Sequence, residues 1–406
     1  MRILHTADWH LGATLGRNFS RISEQKIFID TIIATVPKES IDLILIAGDI
    51  YDNDINAPIA AESLFFYALS SLSSYKIPII IISGNHDNID KLKAPSPLSE
   101  KFGIITITSP YDTPFVSNIL NNKFSIKFLS DGCISITKDN IEAIIATMPF
   151  ITEKRLNQHY YTATHSTNEH LINLDYIEKM RELFSKQQNH FKDTAINLGI
   201  GHFHILGTVA TKSLHERDLY SGIYAIPKDI LPNAQYIAMG HLHRSQNIGS
   251  AYYSGSPLAY SFSEALHTKY INIVEIFPNS QPVVKYIELP CTKPLKNLEA
   301  GTVSEVITML ENLKEEAWIY ITITNEPTLN PVDLRKMRSL CSNIVNIELL
   351  YVDKQNNCNE VHHINSKELY NSIENDVITE FKDFYNNVRG SMPNEEVLKV
   401  FEELIL

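Results

Sequence analysis

The sequence predicts a layered α/β domain followed by a small α+β module and a helical tail. Three observations carry this. Short apolar β-type runs recur through the first two-thirds of the chain, helix-like segments separate several of them, and the pattern changes after Phe277.

The β-type runs are Arg2 to Thr6, Asp42 to Ala47, Pro78 to Ser83, Glu142 to Thr147, Ala195 to Ile200, Gln235 to Met239 and Tyr270 to Glu275. Helical patterns fill Ser23 to Val36 and Pro58 to Ser73, the second opening on a proline suited to a first helical turn. The polar stretch from Asn157 to His170 reads as a loop. Beyond Phe277 come a strand-like Val283 to Leu289, a helical Val303 to Leu313, a strand Trp318 to Thr324, a helix from Pro331 and a strand Val345 to Val352. From Lys367 the chain is helical and acidic. Its last segment, Glu395 to Leu406, spaces Val397, Phe401, Leu404 and Ile405 as one apolar helical stripe. The expected division is therefore 1–277, 278–365 and 366–406, with no internal repeat or low-complexity tract.

With 406 residues, 44% of them hydrophobic, the chain can bury a large core. The longest apolar runs, Ile77 to Ile82 and Leu43 to Ala47, fall well short of the roughly 18 residues of a membrane span. No membrane association is expected, and without a signal-like N-terminus the expected location is cytoplasmic. The cysteines, Cys133, Cys291, Cys341 and Cys358, form no CxxC pair, which argues against a zinc ribbon or a disulfide framework. A net charge of −12 argues against coating nucleic acid by bulk electrostatics. Metal ions that neutralise the carboxylates, or a basic partner, would reconcile that charge with a polyanionic substrate.

Four segments end predicted strands with Asp, His or Asn, where open α/β sheets place their ligand loops. They are Asp8-Trp9-His10, Gly48-Asp49, Gly84-Asn85-His86-Asp87 and Gly240-His241-Leu242-His243. A DxH after one strand and an HxH after another each send two ligands toward one point, and the preceding glycines permit sharp turns and close approach. Any one piece is weak among 15 histidines; the four together specify a site. Carboxylate, imidazole and amide donors suit divalent ions such as Mn²⁺ better than a thiolate-seeking metal. Asp49 stands alone on its loop and is the natural bridge between two ions. Such a pair, roughly 3.5–4 Å apart, would hydrolyse a phosphate ester by in-line displacement.

These motifs resemble those of the calcineurin-like metallophosphoesterases, and more narrowly the SbcD-type nuclease subunits of bacterial SbcCD complexes. The likeness spans nearly the whole chain, from the Met1 to Gly12 segment through Ala47 to Asp52 and Ser83 to Asp87, then to Met239 to Gln246 and Ser254 to Leu258. Leu4 to His10, His241 to Gln246 and Arg217 to Gly222 narrow it to the SbcD type. The resemblance implies a four-layer sandwich of two mixed β-sheets flanked by helices, a capping domain that helps position DNA, and C-terminal helices that dock on an SbcC-type ATPase. It also implies a homodimer within a heterotetramer of two of each subunit. The implied activity is Mn²⁺-dependent double-strand exonuclease and single-strand or hairpin endonuclease action in DNA repair, recombination and replication-fork hairpin processing. One metal would be held by Asp8, His10, Asp49 and His243, the second by Asp49, Asn85, His202 and His241, and His86 would act beside the scissile phosphate without holding metal.

The chain departs from this family at His204, where a non-histidine is typical. Alternate residues of a strand share a face, so His204 competes with His202 for the ligand role. Asp52 is typical of the bacterial branch, whereas archaeal and eukaryotic relatives place a histidine near this point, so its role does not transfer. Some residues carry ordinary structural expectations: His5 as a core histidine, Trp9 packing beneath the metal loop, and Asp87 either orienting a ligand or stabilising its turn. Rival functions on the same fold are a phosphatase or cyclic-nucleotide phosphodiesterase, and a scaffold without activity.

Overall fold

The computed structural model describes residues 1–16, 19–52, 58–112, 123–151, 169–211, 225–326, 328–352 and 361–364, together with 381–382, 385, 392–394 and 397–401. The chain divides into two compact units, Met1–Thr292 and Lys293–Leu406.

The first unit opens with β1 (Arg2–Thr6), α1 (Ile22–Lys38), β2 (Leu43–Ala47), α2 (Ile59–Ser73), β3 (Ile79–Ile82) and β4 (Ile104–Ile107). It continues with β5 (Phe124–Phe128), β6 (Cys133–Lys138), β7 (Ile141–Met148), α3 (Glu169–Gln188), β8 (Ile196–His202), β9 (Tyr236–Gly240), β10 (Gln246–Ile248), β11 (Ala251–Tyr253), β12 (Tyr270–Glu275) and β13 (Val283–Glu288). These strands form a six-stranded sheet in the order β13-β12-β1-β2-β3-β4 and a seven-stranded sheet in the order β10-β11-β9-β8-β7-β6-β5. Both are mixed. β1 to β4 run parallel with β12 antiparallel beside them, and β7, β8, β9 and β11 run parallel with antiparallel strands at the edges.

Period-two alternation shows how the layers stack. On β9, Tyr236 and Ala238 join the main core with β1, β2 and β8, while Ile237 and Met239 face a second core with Tyr176, Met180 and Phe184 of α3. Helices α1 and α2 add Phe28, Ile32, Phe65 and Leu72 to the main core. The expected four-layer sandwich is therefore present. Parallel strands such as Ile79–Ile82 are buried on both faces, hence the unbroken isoleucine run. His5 is a core histidine as expected: its ring bonds the Tyr236 hydroxyl at 2.8 Å and the Met239 carbonyl at 3.2 Å, and burial pushes it down to about 3.

The boundary expected at Phe277 is a correction. Val283–Glu288 pairs antiparallel with β12, so Phe277 to Ser280 is a hairpin turn and the first unit runs on to Thr292. An edge strand with little burial reads alike whichever sheet it joins.

In the second unit β14 (Leu295–Ala300), α4 (Val303–Glu311), β15 (Trp318–Ile323), α5 (Pro331–Leu340), β16 (Ile344–Val352) and β17 (Val361–Ile364) form a four-stranded sheet in that strand order, with the helices packed over it. Strand β14 was not expected. Leu404, Ile405, the Arg217 to Gly222 motif and most of the expected loop from Asn157 to His170 lie outside the described residues, although Glu169 and His170 open α3. No helix among the described residues is long and apolar enough to cross a membrane.

Candidate metal centre

The four motifs meet at the C-terminal ends of β1, β2, β3 and β9, and β8 delivers His202 to the same place. Getting them there requires unusual backbone. Asp8, His10, Asp49 and His241 all have positive φ, at 54°, 43°, 51° and 92°. Each such conformation costs an L-residue roughly 1–2 kcal/mol, about what burying one aliphatic side chain returns. The dense core below can hold that strain, and inter-loop bonds fix it: Asp8 N–H to the Gly48 carbonyl, His10 N–H to that of Asp49, and Leu11 N–H to that of Ile50. Gly84 and Gly240 are needed for close approach. A Cβ on Gly84 would lie 2.0 Å from Asp49 Oδ1, and one on Gly240 1.9 Å from the Ala47 carbonyl oxygen.

Asp8, His10, Asp49, His202, His241 and His243 are buried, while Asn85 and His86 are half-buried at the mouth. His10 Nε2 and His243 Nε2 are 3.1 Å apart. On the other side, Asn85 Oδ1 lies 3.0 Å from His202 Nε2 and 2.9 Å from His241 Nδ1. Asp49 sits between the two groups. Its Oδ2 is 3.6 Å from His10 Nε2 and 3.3 Å from His202 Nε2, and its Oδ1 accepts the His86 N–H at 2.9 Å. Two triads, Asp8/Asp49/His202 and His10/Asp49/His86, each bring one donor atom per residue within 4.8 Å, and Asp49 belongs to both.

The electrostatics follow from packing carboxylates and imidazoles out of water. Burial pushes Asp8 up to about 7 against the pull of His202 and His243. Burial acts on Asp49 in the same direction, but His202, His86 and His10 outweigh it and hold Asp49 well below the usual carboxylate range. Burial would lower His202, yet Asp49 and Asp8 raise it to about 9. His241 is driven well down by burial and by the charge of His202.

These donors fit divalent cations. Asp8 Oδ2 is buried and accepts no hydrogen bond among the described residues, although its partner oxygen accepts the His241 N–H at 2.8 Å. A buried carboxylate oxygen without a hydrogen needs a cation. Two carboxylates, an amide oxygen and imidazoles, with no thiol, are the donors of a hard or borderline ion.

The structure brings the expected site residues together and gives the two competing histidines different surroundings. His202 ends β8, with Nδ1 2.7 Å from the Ala47 carbonyl oxygen, which turns Nε2 toward Asn85 and Asp49. His204, just past the strand end, is half-buried, and neither ring nitrogen has a hydrogen-bond partner among the described residues. Asp87 takes the turn-stabilising role: its oxygens accept from Ile50, Tyr51 and Gly84 N–H and tie two metal-site loops together. Trp9 packs edge-on against Phe28 and Phe65.

Sequence reasoning missed the backing of His243. Its Nδ1 faces Glu264 Oε1 at 3.1 Å, and Lys269 Nζ bonds Glu264 Oε2 at 2.5 Å, Ser256 Oγ at 2.9 Å and the His243 carbonyl at 3.1 Å. Burial opposes ionisation of Glu264, but Lys269 and His243 hold it below the usual range. Gln25, whose Nε2 donates to the His10 carbonyl at 2.7 Å, was missed too. Neither residue belongs to a local motif; only the fold reveals them.

A family model described as calcineurin-like phosphoesterase matches residues 1–245. The chain is 36% identical over 417 residues to the D component of the SbcCD nuclease of Bacillus subtilis, covering 100% of this chain and 97% of that one. It is 28% identical to the corresponding component of Escherichia coli K12, covering 87% and 84%, and 27% identical to that of Rhodobacter capsulatus, covering 77% and 76%. Matched by that model over more than half its length, and by a relative of this identity end to end, the chain belongs to the calcineurin-like phosphoesterase family, among the SbcD-type nuclease subunits.

Proposed function

We propose that this chain is the metal-dependent DNA-cutting subunit of a nuclease whose other component is an SbcC-type ATPase. The activity proposed is double-strand exonuclease and hairpin or single-strand endonuclease action in DNA repair and recombination, with Mn²⁺ as the metal. The observation that carries it is Asp49 Oδ2 facing both His10 and His202 across 3.6 Å and 3.3 Å, the position of a bridging ligand. Asp8, His10, Asp49 and His243 would hold one ion, and Asp49, Asn85, His202 and His241 the other. When bound, such a pair polarises the phosphodiester and activates water.

The chain's own residues do the rest. The Ala47 carbonyl and Glu264 fix the ring orientations of His202 and His243. His86 lies half-buried at the mouth with Nδ1 3.0 Å from the Asp52 carbonyl oxygen. With the Nδ1 proton donated to that carbonyl, Nε2 is left for the substrate, and the doubly protonated imidazolium can give its Nε2 proton to the leaving oxygen. Lying further along than Asp49 on the same loop, Asp52 acts through its backbone on His86, and its carboxylate lies 3.6 Å from His10 Nδ1.

The SbcC-type partner is proposed from the SbcCD relatives and from the C-terminal stripe that includes Val397 and Phe401. Homodimerisation and a cytoplasmic location belong to the same reading. Asp49→Ala is expected to abolish Mn²⁺-dependent cleavage of labelled duplex and hairpin DNA and to lower bound metal below two ions per chain. Wild-type cutting by that variant would refute the bridge, and a wild-type chain that hydrolyses only phosphomonoesters would favour a phosphatase. Deleting residues 391–406 should abolish co-purification with the ATPase and spare the chain's own Mn²⁺-dependent cleavage. Retained binding would remove the docking role.

A further inference from the structure

The segment His241 to Gln246 contains one charged residue that the metal centre does not use. Arg244 directly follows His243, and its side chain is exposed. It makes no salt bridge among the described residues. The lysines that follow the Gly84 to Asp87 motif, in the short helix Ile89–Lys93, are engaged: Lys91 pairs with Glu62, and Lys93 with Asp112. Lys269, behind His243, is committed to Glu264. In a chain of net charge −12, a guanidinium that finds no carboxylate partner among the described residues, directly after a ligand of a carboxylate-rich site, calls for another anion.

Its backbone is held from three directions. His243 is locked to Glu264, and its carbonyl accepts from Lys269 Nζ. Gln246 clamps the loop after β8, its Oε1 accepting the Val209 N–H at 2.9 Å and its Nε2 donating to the Val209 carbonyl at 2.7 Å. Gly255, at φ +80°, lies so close that a Cβ there would be 2.7 Å from the His243 carbonyl oxygen and 3.3 Å from the Arg244 carbonyl carbon. A charged side chain with no salt bridge among the described residues, on a fixed mount directly after a metal-centre histidine, is the arrangement of an anion-binding group. Guanidinium, a fork of N–H donors, suits the paired oxygens of a phosphodiester.

We propose that Arg244 binds a backbone phosphate of the strand being cut. This rests on the nuclease reading above and adds a substrate contact to it. The contact supplies affinity rather than chemistry, so it acts through KM.

The test uses the full chain carrying Arg244→Ala or Arg244→Lys, with Lys127→Ala as a control for total charge, since Lys127 is exposed on β5. Cleavage of duplex DNA is followed in Mn²⁺, and binding to the same duplex by fluorescence anisotropy across a salt series. For Arg244→Ala, KM is expected to rise about tenfold, the size of one lost charge-assisted contact, while kcat stays within about threefold. The slope of log K against log salt should flatten by about 0.9, one phosphate's share for duplex DNA. Arg244→Lys should restore the slope but only part of the affinity, and Lys127→Ala should change neither. Bound metal and thermal midpoint should match wild type in all three. An unchanged salt slope in Arg244→Ala overturns the proposal, as does a loss of bound metal alongside activity, which would make Arg244 a structural support of His243. A wild-type chain that binds the duplex without cutting it would sink the nuclease reading, and the salt slope would still decide Arg244.

Discussion

The loops at the strand ends of the first unit and the helices of the second unit treat local conformational rules in opposite ways. At the metal centre, four of the expected site residues, Asp8, His10, Asp49 and His241, occupy left-handed backbone that disfavours their side chains. In the second unit no described non-glycine residue has positive φ, and the helices begin as local rules recommend. Thr302 and Glu305 form a capping box on α4, and Asn330 caps α5 with Pro331 in its first turn. Four strained residues gathered where charged groups converge, in contrast to a unit whose helix starts follow local preference, mark the first as selected for chemistry and the second for stability.

The sharpest way to break this comparison is to remove the one mouth residue assigned to chemistry but not to metal binding. His86→Ala is expected to lose about 10²–10⁴-fold in the rate of DNA cleavage, the range for a positioned acid or base, while metal stoichiometry stays at two. His86 shares a convergent triad with His10 and Asp49, so the stoichiometry matters. If an ion leaves with the activity, His86 is a ligand.

A smaller effect is expected behind the site. Glu264 touches no substrate, but it orients the His243 ring and is neutralised by Lys269. Glu264→Gln keeps the shape and should weaken binding of one metal by about 10–100-fold, the usual consequence of losing such a partner, with activity recovered at high Mn²⁺. Calorimetric titration would show it. Unchanged affinity would mean that the Ser256 and Lys269 contacts hold the His243 loop without the carboxylate.

What could be read from the sequence follows the same division. The strand-end motifs were legible because each is short and local: an apolar run, in three of the four a glycine, then Asp, His or Asn. The helix starts of the second unit were legible because capping is local too. Glu264 was not, because its partners lie at His243 and Lys269 and no spacing rule connects the three. His202 and His204 could not be separated by alternation, which puts both on one face; the strand ends at His202, and His204 leaves its geometry. The hairpin at Phe277 looked like a boundary because the edge strand beyond it is barely buried, and nothing in Val283 to Glu288 says which sheet it joins. The left-handed conformations of Asp8, His10 and Asp49 were equally hidden, since the side chains there are chosen for what they bind.

The mildest test acts on the obedient side of the comparison. Thr302 Oγ1 accepts the Glu305 N–H at 3.4 Å, and Glu305 Oε2 reaches back to the N–H groups of Thr302 at 3.3 Å and Gly301 at 2.8 Å. That box starts a helix of nine residues, α4, which buries Val303, Val306, Ile307 and Leu310 in the core of the second unit. Thr302→Ala removes one acceptor and leaves the Glu305 bonds, so it should destabilise the second unit by about 1 kcal/mol, the usual loss at an N-cap. Hydrogen exchange should report this as faster exchange across Val303–Glu311, with β2 unchanged. Metal affinity and Mn²⁺-dependent cleavage should stay at wild-type values, because the residues of the metal centre and those that back them all belong to the first unit. If metal affinity falls in step with the loss of protection in α4, the two regions are energetically one, and the division between a strained chemical end and a locally ideal support does not hold.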